Sequence, residues 1–116
     1  MVERAGKWRE PDYSPSVYPP FACGSGYVVP RALHLWLASN SHLLHPFQGE
    51  DVSMGIWLSP LAPERLQDSR WQCFKMCEDT MFSMPDLTPA EIMTRWQNRL
   101  HCGSPCSFCT KPPSIL

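Results

Sequence analysis

The chain has 116 residues, enough for one small domain, and 43% of them are hydrophobic. Ten basic residues nearly balance eleven acidic ones, so no basic field indicates nucleic-acid binding. No stretch approaches the ~18 consecutive apolar residues that a membrane-spanning helix requires. The charged start of the chain is not typical of a signal peptide.

Six cysteines are the most unusual feature of the composition, and five of them lie between residues 73 and 109. Such a density is typical of an oxidising compartment or of a metal site. A secreted type of cysteine pattern conflicts with the lack of a secretory signal. A missing amino-terminal region would resolve the conflict, so we expect a fragment of a longer protein.

The first half of the chain predicts short elements between prolines. Residues 1–17 are expected to form an irregular leading segment with a short strand near Trp8. Two extended pieces around a glycine turn should follow over residues 18–29, and Pro30 is placed to start a helix. The stretch from Ala32 to Asn40 is apolar nearly all round, which predicts a helix buried on most sides.

The second half predicts two more helices. One should begin at Glu50 or Asp51, and residues 66–74 look extended before an irregular stretch over 75–87. The last helix is the clearest, because Thr88-Pro89-Ala90-Glu91 forms a capping box ahead of apolar residues at four-residue spacing.

Two segments are candidates for chemistry. In the first, Gly24 and Gly26 permit a tight turn or the close approach of a ligand. In the second, Glu50 and Asp51 stand at the start of a helix, where carboxylates gain from the helix dipole. A carboxylate held ionised there is also suited to act as a general base. Neither segment alone decides between the structural and the functional interpretation.

Taken in order, these segments resemble the β-1,3-galactosyltransferase family of inverting β-1,3-glycosyltransferases. The resemblance is carried by Tyr-Pro-Pro-Phe at 18–21, Cys-Gly-Ser-Gly-Tyr at 23–27, Trp-Leu-Ala-Ser-Asn-Ser at 36–41 and Gln-Gly-Glu-Asp-Val-Ser-Met-Gly-Ile-Trp at 48–57. It runs from about Lys7 to Cys109. Many family members have a run of glycines where this chain has Ser25.

The resemblance implies an α/β fold, in the form of an incomplete carboxy-terminal part of a GT-A type glycosyltransferase domain. This part would occupy residues 18–66. Residues 67–116 would form a cysteine-rich carboxy-terminal extension with one helix at about 88–101.

The resemblance also implies a site. Asp51 would be the catalytic base, with Glu50 supporting it on the acceptor side. Gly24, Ser25, Gly26 and Tyr27 would shape the cleft for the sugars. The implied partners are a UDP-sugar donor and a glycan or glycoprotein acceptor, with GalNAc or galactose passing to a GlcNAc-type acceptor such as an extended O-mannose glycan.

Other family features have no counterpart in the sequence. The family binds a divalent cation, Mn²⁺, through an Asp-x-Asp motif, but no two of the five aspartates lie two residues apart. The chain therefore supplies no metal ligands, and we expect it to be inactive by itself. A membrane anchor and a location in the Golgi or endoplasmic reticulum lumen are expected only of the longer protein.

Two alternatives to a transferase stay open. Cys73 and Cys77, together with Cys102, Cys106 and Cys109, are able to supply four thiolates to a structural zinc ion in a small binding module. Disulfides explain the same cysteines, and six cysteines allow 15 pairings. A catalytically inactive docking partner is the other alternative, since a half-domain leaves apolar faces exposed.

Overall fold

A computed structural model describes residues 1–107 of the chain, with two compact units at Met1–Leu66 and Gln67–Leu116. The first unit contains helices α1 (Arg31–Asn40) and α2 (Glu50–Leu58), each followed by a single 3-10 turn. The second unit contains helix α3 (Pro89–Cys102). No helix of the described part is long and apolar enough to cross a membrane.

The helix starts follow the capping signals in the sequence. Helix α2 begins at Glu50, as predicted, with Gly49 at the cap and both carboxylates in its first turn. In α3 the side chain of Thr88 accepts a hydrogen bond from the Glu91 amide, while Glu91 accepts one from the Thr88 amide. The capping box is therefore confirmed, because the amides of Thr88 and Glu91 each find a side-chain partner.

Over residues 1–107 there is no β-strand, and one isolated bridge joins Trp71 to Ser83. The strand predicted near Trp8 is wrong, because a turn occupies that position. The extended conformation predicted for 66–74 is interrupted at Ser69–Arg70, where the carboxylate of Asp68 accepts a hydrogen bond from the Arg70 amide and sets a turn. The described part of the chain thus shows the helices of the α/β prediction without its strands.

Polar contacts hold the first unit together more than apolar burial does. Within the described residues, the buried hydrophobic side chains are Val2 and Leu58. The guanidinium of Arg4 donates hydrogen bonds to the backbone carbonyls of Glu10, Tyr13, Ser14 and Pro15. Residues 1–17 are therefore irregular, yet their backbone path is fixed by one side chain.

Helix α1 is not buried on most sides, contrary to the prediction. None of its residues is buried, and Leu35 is 51% exposed. The spacing of apolar residues indicates which face of a helix is suited to burial. It does not indicate whether this chain contains the residues that would pack against that face. Within the described residues, Leu33, Trp36 and Leu37 of α1 are only partly covered.

The second unit is fastened by a disulfide between Cys77 and Cys106. It joins the segment before α3 to the residues just after it, where Gly103 ends the helix in the left-handed conformation at a φ of 75°. The apolar side chains of α3 are open, with Ile92, Met93, Trp96 and Leu100 between 54% and 62% exposed.

Candidate functional site

The glycine turn and the start of α2 lie against each other in the first unit. The hydroxyl of Tyr27 donates a hydrogen bond to Glu50 Oε2 at 2.5 Å. A Cβ placed on Gly24 would lie 2.9 Å from Asp51 Oδ2, so the turn and this carboxylate are in close contact. The structure therefore brings together the two segments that the sequence singled out.

The carboxylate of Asp51 lies between Gly24 and Gly49. Its Oδ1 accepts a hydrogen bond from the Val52 amide at 2.8 Å and lies 3.0 Å from where a Cβ on Gly49 would be. Its Oδ2 faces Gly24 and accepts no hydrogen bond from any residue in 1–107. One oxygen is held at the helix start, and the other lies against the glycine turn.

Glu50 is differently engaged, because it serves as the acceptor for Tyr27. Burial raises the pKa of the Tyr27 phenol to about 12, and the hydrogen bond to Glu50 and the charges of Glu50 and Asp51 act in the same direction. Tyr27 is therefore a neutral donor near neutral pH. Of the two carboxylates, Asp51 is the one that does not accept a hydrogen bond from Tyr27.

The raised pKa of Tyr27 predicts its titration behaviour. Because the folded pKa lies above the ordinary tyrosine value of 10.0, the Tyr27–Glu50 bond contributes full stability below pH 10.0 and loses it as pH rises through about 12. Between these values, native chain and Tyr27→Phe should show equal tyrosinate absorbance. Glu50→Gln is the matched variant, and it should lower the Tyr27 pKa. A larger tyrosinate signal from the native chain than from Tyr27→Phe in this interval would contradict the assignment.

Gly24 and Ser25 lie at the centre of the turn, and Gly26 is its last residue. The Gly26 amide donates to the carbonyl of Cys23 at 3.3 Å, which closes the turn. Ser25 Oγ lies 3.5 Å from Cys23 Sγ, and because that sulfur is disulfide-bonded the hydroxyl is the donor. Ser25 and Gly26 shape the backbone that presents Gly24 and Tyr27 to α2.

Gly55 explains why the segment before the turn can lie along α2. A Cβ on Gly55 would collide with the Cβ of Phe21 and approach the carbonyl oxygen of Pro20 to 3.1 Å. Gly55 stands one helical turn after Asp51, so a glycine here lets the Pro20–Phe21 backbone approach the helix closely. The same approach leads the chain to Gly24.

The sequence interpretation missed two buried polar residues near the start of α2. Ser53 is 2% exposed, and its hydroxyl accepts from the Phe47 amide and lies 2.7 Å from the Gly49 carbonyl oxygen. Glu10 is 3% exposed and accepts from the Gln48 amide. Ser53 had a usable signal, since a helical serine often bonds the carbonyl four residues earlier. Glu10 had none, because its partner is 38 residues away.

The cysteines form disulfides, which confirms that interpretation and overturns the zinc alternative. Cys77 pairs with Cys106, and Cys23, Cys73 and Cys102 are disulfide-bonded as well. Thiolates tied up in disulfides are not available to a metal. Cys109 lies outside the described residues. Among residues 1–107, no group of three or more His, Cys, Asp or Glu side chains is placed to hold a metal ion.

The galactosyltransferase family model matches residues 1–67, which include the glycine turn, α1 and α2. The chain therefore belongs to the galactosyltransferase family. It is 54% identical to UDP-GalNAc:beta-1,3-N-acetylgalactosaminyltransferase 2 of Xenopus tropicalis over 106 residues, or 91% of this chain and 22% of the relative. The human protein of the same name is 51% identical over 90% of this chain and 21% of its own length.

A more distant relative, beta-1,3-galactosyltransferase 6 of Mus musculus, is 30% identical over 90% of this chain and 34% of its own length. The chain spans about a fifth of the length of the N-acetylgalactosaminyltransferase relatives it matches. No solved structure matches it significantly.

Proposed function

We propose that this chain forms the acceptor side of an inverting β-1,3-glycosyltransferase site and that Asp51 is its general base. The observation that carries the proposal is the Asp51 carboxylate, whose Oδ1 is bound by the Val52 amide while Oδ2 faces the glycine turn. Membership of the galactosyltransferase family supports the reaction class. A base held beside an acceptor hydroxyl typically contributes about 10²–10⁴-fold to a rate.

In the proposed reaction, the acceptor hydroxyl transfers its proton to Oδ2 of Asp51 as its oxygen attacks the anomeric carbon of a UDP-sugar. The bond between that carbon and the diphosphate oxygen breaks, and UDP leaves with the electron pair. Attack on the face opposite to UDP inverts the anomeric configuration. Glu50 keeps Tyr27 hydrogen-bonded, so the phenol ring forms a fixed wall beside the base.

The proposed donor sugar is GalNAc or galactose, and the proposed acceptor is a GlcNAc-type sugar in protein O-glycosylation. The names of the relatives support these two donors. The disulfide-bonded cysteines support an oxidising lumen, such as that of the Golgi or endoplasmic reticulum. Since residues 1–107 do not fit a metal ion, we assign the cation that the family resemblance implies to another part of the enzyme.

A docking role without catalysis is the second candidate. The open apolar side chains of α3 favour it, because a contiguous exposed apolar patch marks an interaction surface. The two candidates differ in their need for Asp51. Only the transferase requires a carboxylate with an open oxygen at the start of α2.

The proposal is tested by a chimera in which the matching segment of the Xenopus tropicalis relative is replaced by this chain. We expect the chimera to transfer GalNAc from UDP-GalNAc to a GlcNAc acceptor. The same relative with the segment deleted is the control and should be inactive. A folded chimera without transfer would reject the proposal and favour the docking role.

The isolated chain is expected to show no transfer from UDP-GalNAc or UDP-galactose. It contributes an acceptor-side base, while residues 1–107 offer no metal cluster to assist the departing diphosphate. The measurement is UDP release by the purified 116-residue chain, with the chimera as the positive control. Acceptor-dependent UDP release by the chain alone would contradict this expectation.

Gly24→Ala should damage the site more than the fold. The new Cβ would lie 2.9 Å from Asp51 Oδ2, and the end of a short side chain moves more easily than the backbone does. A displacement of about 1 Å at a reacting group typically costs about 100-fold in rate, so we expect a loss of that order in the chimera. Thermal unfolding should change little. An unaltered rate would show that Gly24 does not set the position of Asp51.

A further inference from the structure

Glu10 is a buried carboxylate that the proposed reaction does not use. Its side chain is 3% exposed, and Oε2 accepts a hydrogen bond from the Gln48 amide at 2.6 Å. A buried charge is costly unless it is hydrogen-bonded, so its presence here needs a reason. Gln48 stands two residues before Glu50, on the loop that leads into α2.

Glu10 is itself held firmly through its backbone. Its amide donates to the carbonyl of Glu3 at 2.8 Å, and its carbonyl accepts from Arg4 Nη1 at 2.9 Å. The guanidinium of Arg4 also donates hydrogen bonds to the backbone carbonyls of residues 13–15. The carboxylate therefore extends from a fixed backbone rather than from a free terminus.

The loop that Glu10 contacts is fixed on both sides of Gln48. The Gln48 side chain donates to the carbonyl of Lys7 at 2.6 Å. The hydroxyl of Ser53 accepts from the Phe47 amide and lies 2.7 Å from the Gly49 carbonyl oxygen. The Glu10 bond is the contact that fixes the Gln48 backbone between those two residues.

The next residue, Gly49, connects this loop to Asp51. Gly49 caps α2, and a Cβ on it would lie 3.0 Å from Asp51 Oδ1. A shift of the Gln48 backbone would therefore move the cap and the carboxylate that rests on it. The line of contact runs from Glu10 through Gln48 and Gly49 to Asp51.

We propose that Glu10 is a positioning residue for Asp51, acting through its hydrogen bond to the Gln48 amide. This inference rests on the proposed function, in which Asp51 is the base. This role requires a side-chain oxygen at position 10 that extends far enough to accept the hydrogen bond from the Gln48 amide. It does not require a negative charge. Glutamine at position 10 keeps an oxygen at the same reach, whereas aspartate keeps the charge and is one methylene too short.

The test compares Glu10→Gln and Glu10→Asp in the chimera. Since loss of alignment at a reacting group costs up to about 100-fold, we expect Glu10→Asp to lower kcat about tenfold with the KM for UDP-GalNAc unchanged. Glu10→Gln should keep kcat within about threefold, because its amide oxygen accepts the same bond. A Glu10→Asp rate equal to native, or a Glu10→Gln rate as low as that of Glu10→Asp, would overturn the inference.

A purely structural role is separated by a stability control. Val2→Ala opens a small cavity at another buried residue of the same unit, so it should lower the melting temperature without lowering kcat. Hydrogen exchange at residues 47–52 is measured in parallel. The exchange rate of these residues should rise in Glu10→Asp. It should equal the native rate in Glu10→Gln and in Val2→Ala. Equal exchange in all four proteins would reject positioning whatever the rates show.

The variants are then combined with Asp51→Asn. If Glu10 acts through Asp51, adding Glu10→Asp should lower the residual rate less than twofold, because the base is already lost. A further tenfold loss would reject action through Asp51. Full activity of Asp51→Asn by itself would reject the proposed function, and hydrogen exchange would still decide whether Glu10 fixes the loop.

Discussion

Asp51→Asn in the chimera should lower kcat by about 10²–10⁴-fold, the usual contribution of a general base. Asparagine keeps an oxygen that can accept from the Val52 amide, so the start of α2 should stay in place. The neutral amide cannot take the proton of the acceptor hydroxyl. KM values for donor and acceptor should change little, because the loss lies in the transition state.

Glu50→Gln is the matched control for that experiment. It alters the neighbouring carboxylate, whose Oε2 accepts the hydrogen bond from the Tyr27 hydroxyl. We expect a loss of about tenfold or less, as for a group that supports rather than accepts the proton. A larger loss from Glu50→Gln than from Asp51→Asn would indicate that Glu50 is the base and that Asp51 is the supporting carboxylate.

Removal of the Cys77–Cys106 disulfide should have the largest effect on stability. The bond closes a sequence separation of 29 residues, and a loop of that length is worth about 3–4 kcal/mol in the chain-entropy description. The test is urea unfolding of the chain, monitored by far-ultraviolet circular dichroism. In the Cys77→Ala, Cys106→Ala double variant, the second unit should unfold at much lower urea.

Lys75→Met is the comparison for the disulfide variant. It removes the ion pair between Lys75 and Glu91, which joins the same segment to the start of α3 at 2.6 Å. That pair is solvent-exposed, and exposed pairs contribute little. Its urea midpoint should therefore stay close to native. Equal urea midpoints for the native chain and for the Cys77→Ala, Cys106→Ala double variant would show that the disulfide does not stabilise the second unit.

Local signals in the sequence were sufficient for the helix starts. The capping box at Thr88 and Glu91 depends on residues three apart, so it can be recognised without knowledge of the fold. The carboxylates at the start of α2 are local in the same sense. The contact of Tyr27 with Glu50 spans 23 residues and was not predicted, although the family resemblance assigned both residues to one site.

Features that depend on distant partners were not predictable. The strand near Trp8 and the burial of α1 were expected from local composition, but a strand and a covered helix both need neighbours elsewhere. Glu10 was missed for the same reason, because nothing near it in sequence marks it as the acceptor for the Gln48 amide. A buried acidic residue in an irregular segment becomes recognisable only from the fold.

Product analysis of the chimera tests the central claim most directly. The chimera is incubated with UDP-GalNAc and a GlcNAc acceptor, and the linkage formed is determined by nuclear magnetic resonance. We predict a β-1,3 linkage whose yield falls with Asp51→Asn. A folded chimera that forms no such product, or forms as much of it with asparagine at position 51, would contradict the assignment of this chain as the base-bearing acceptor side of a β-1,3-glycosyltransferase.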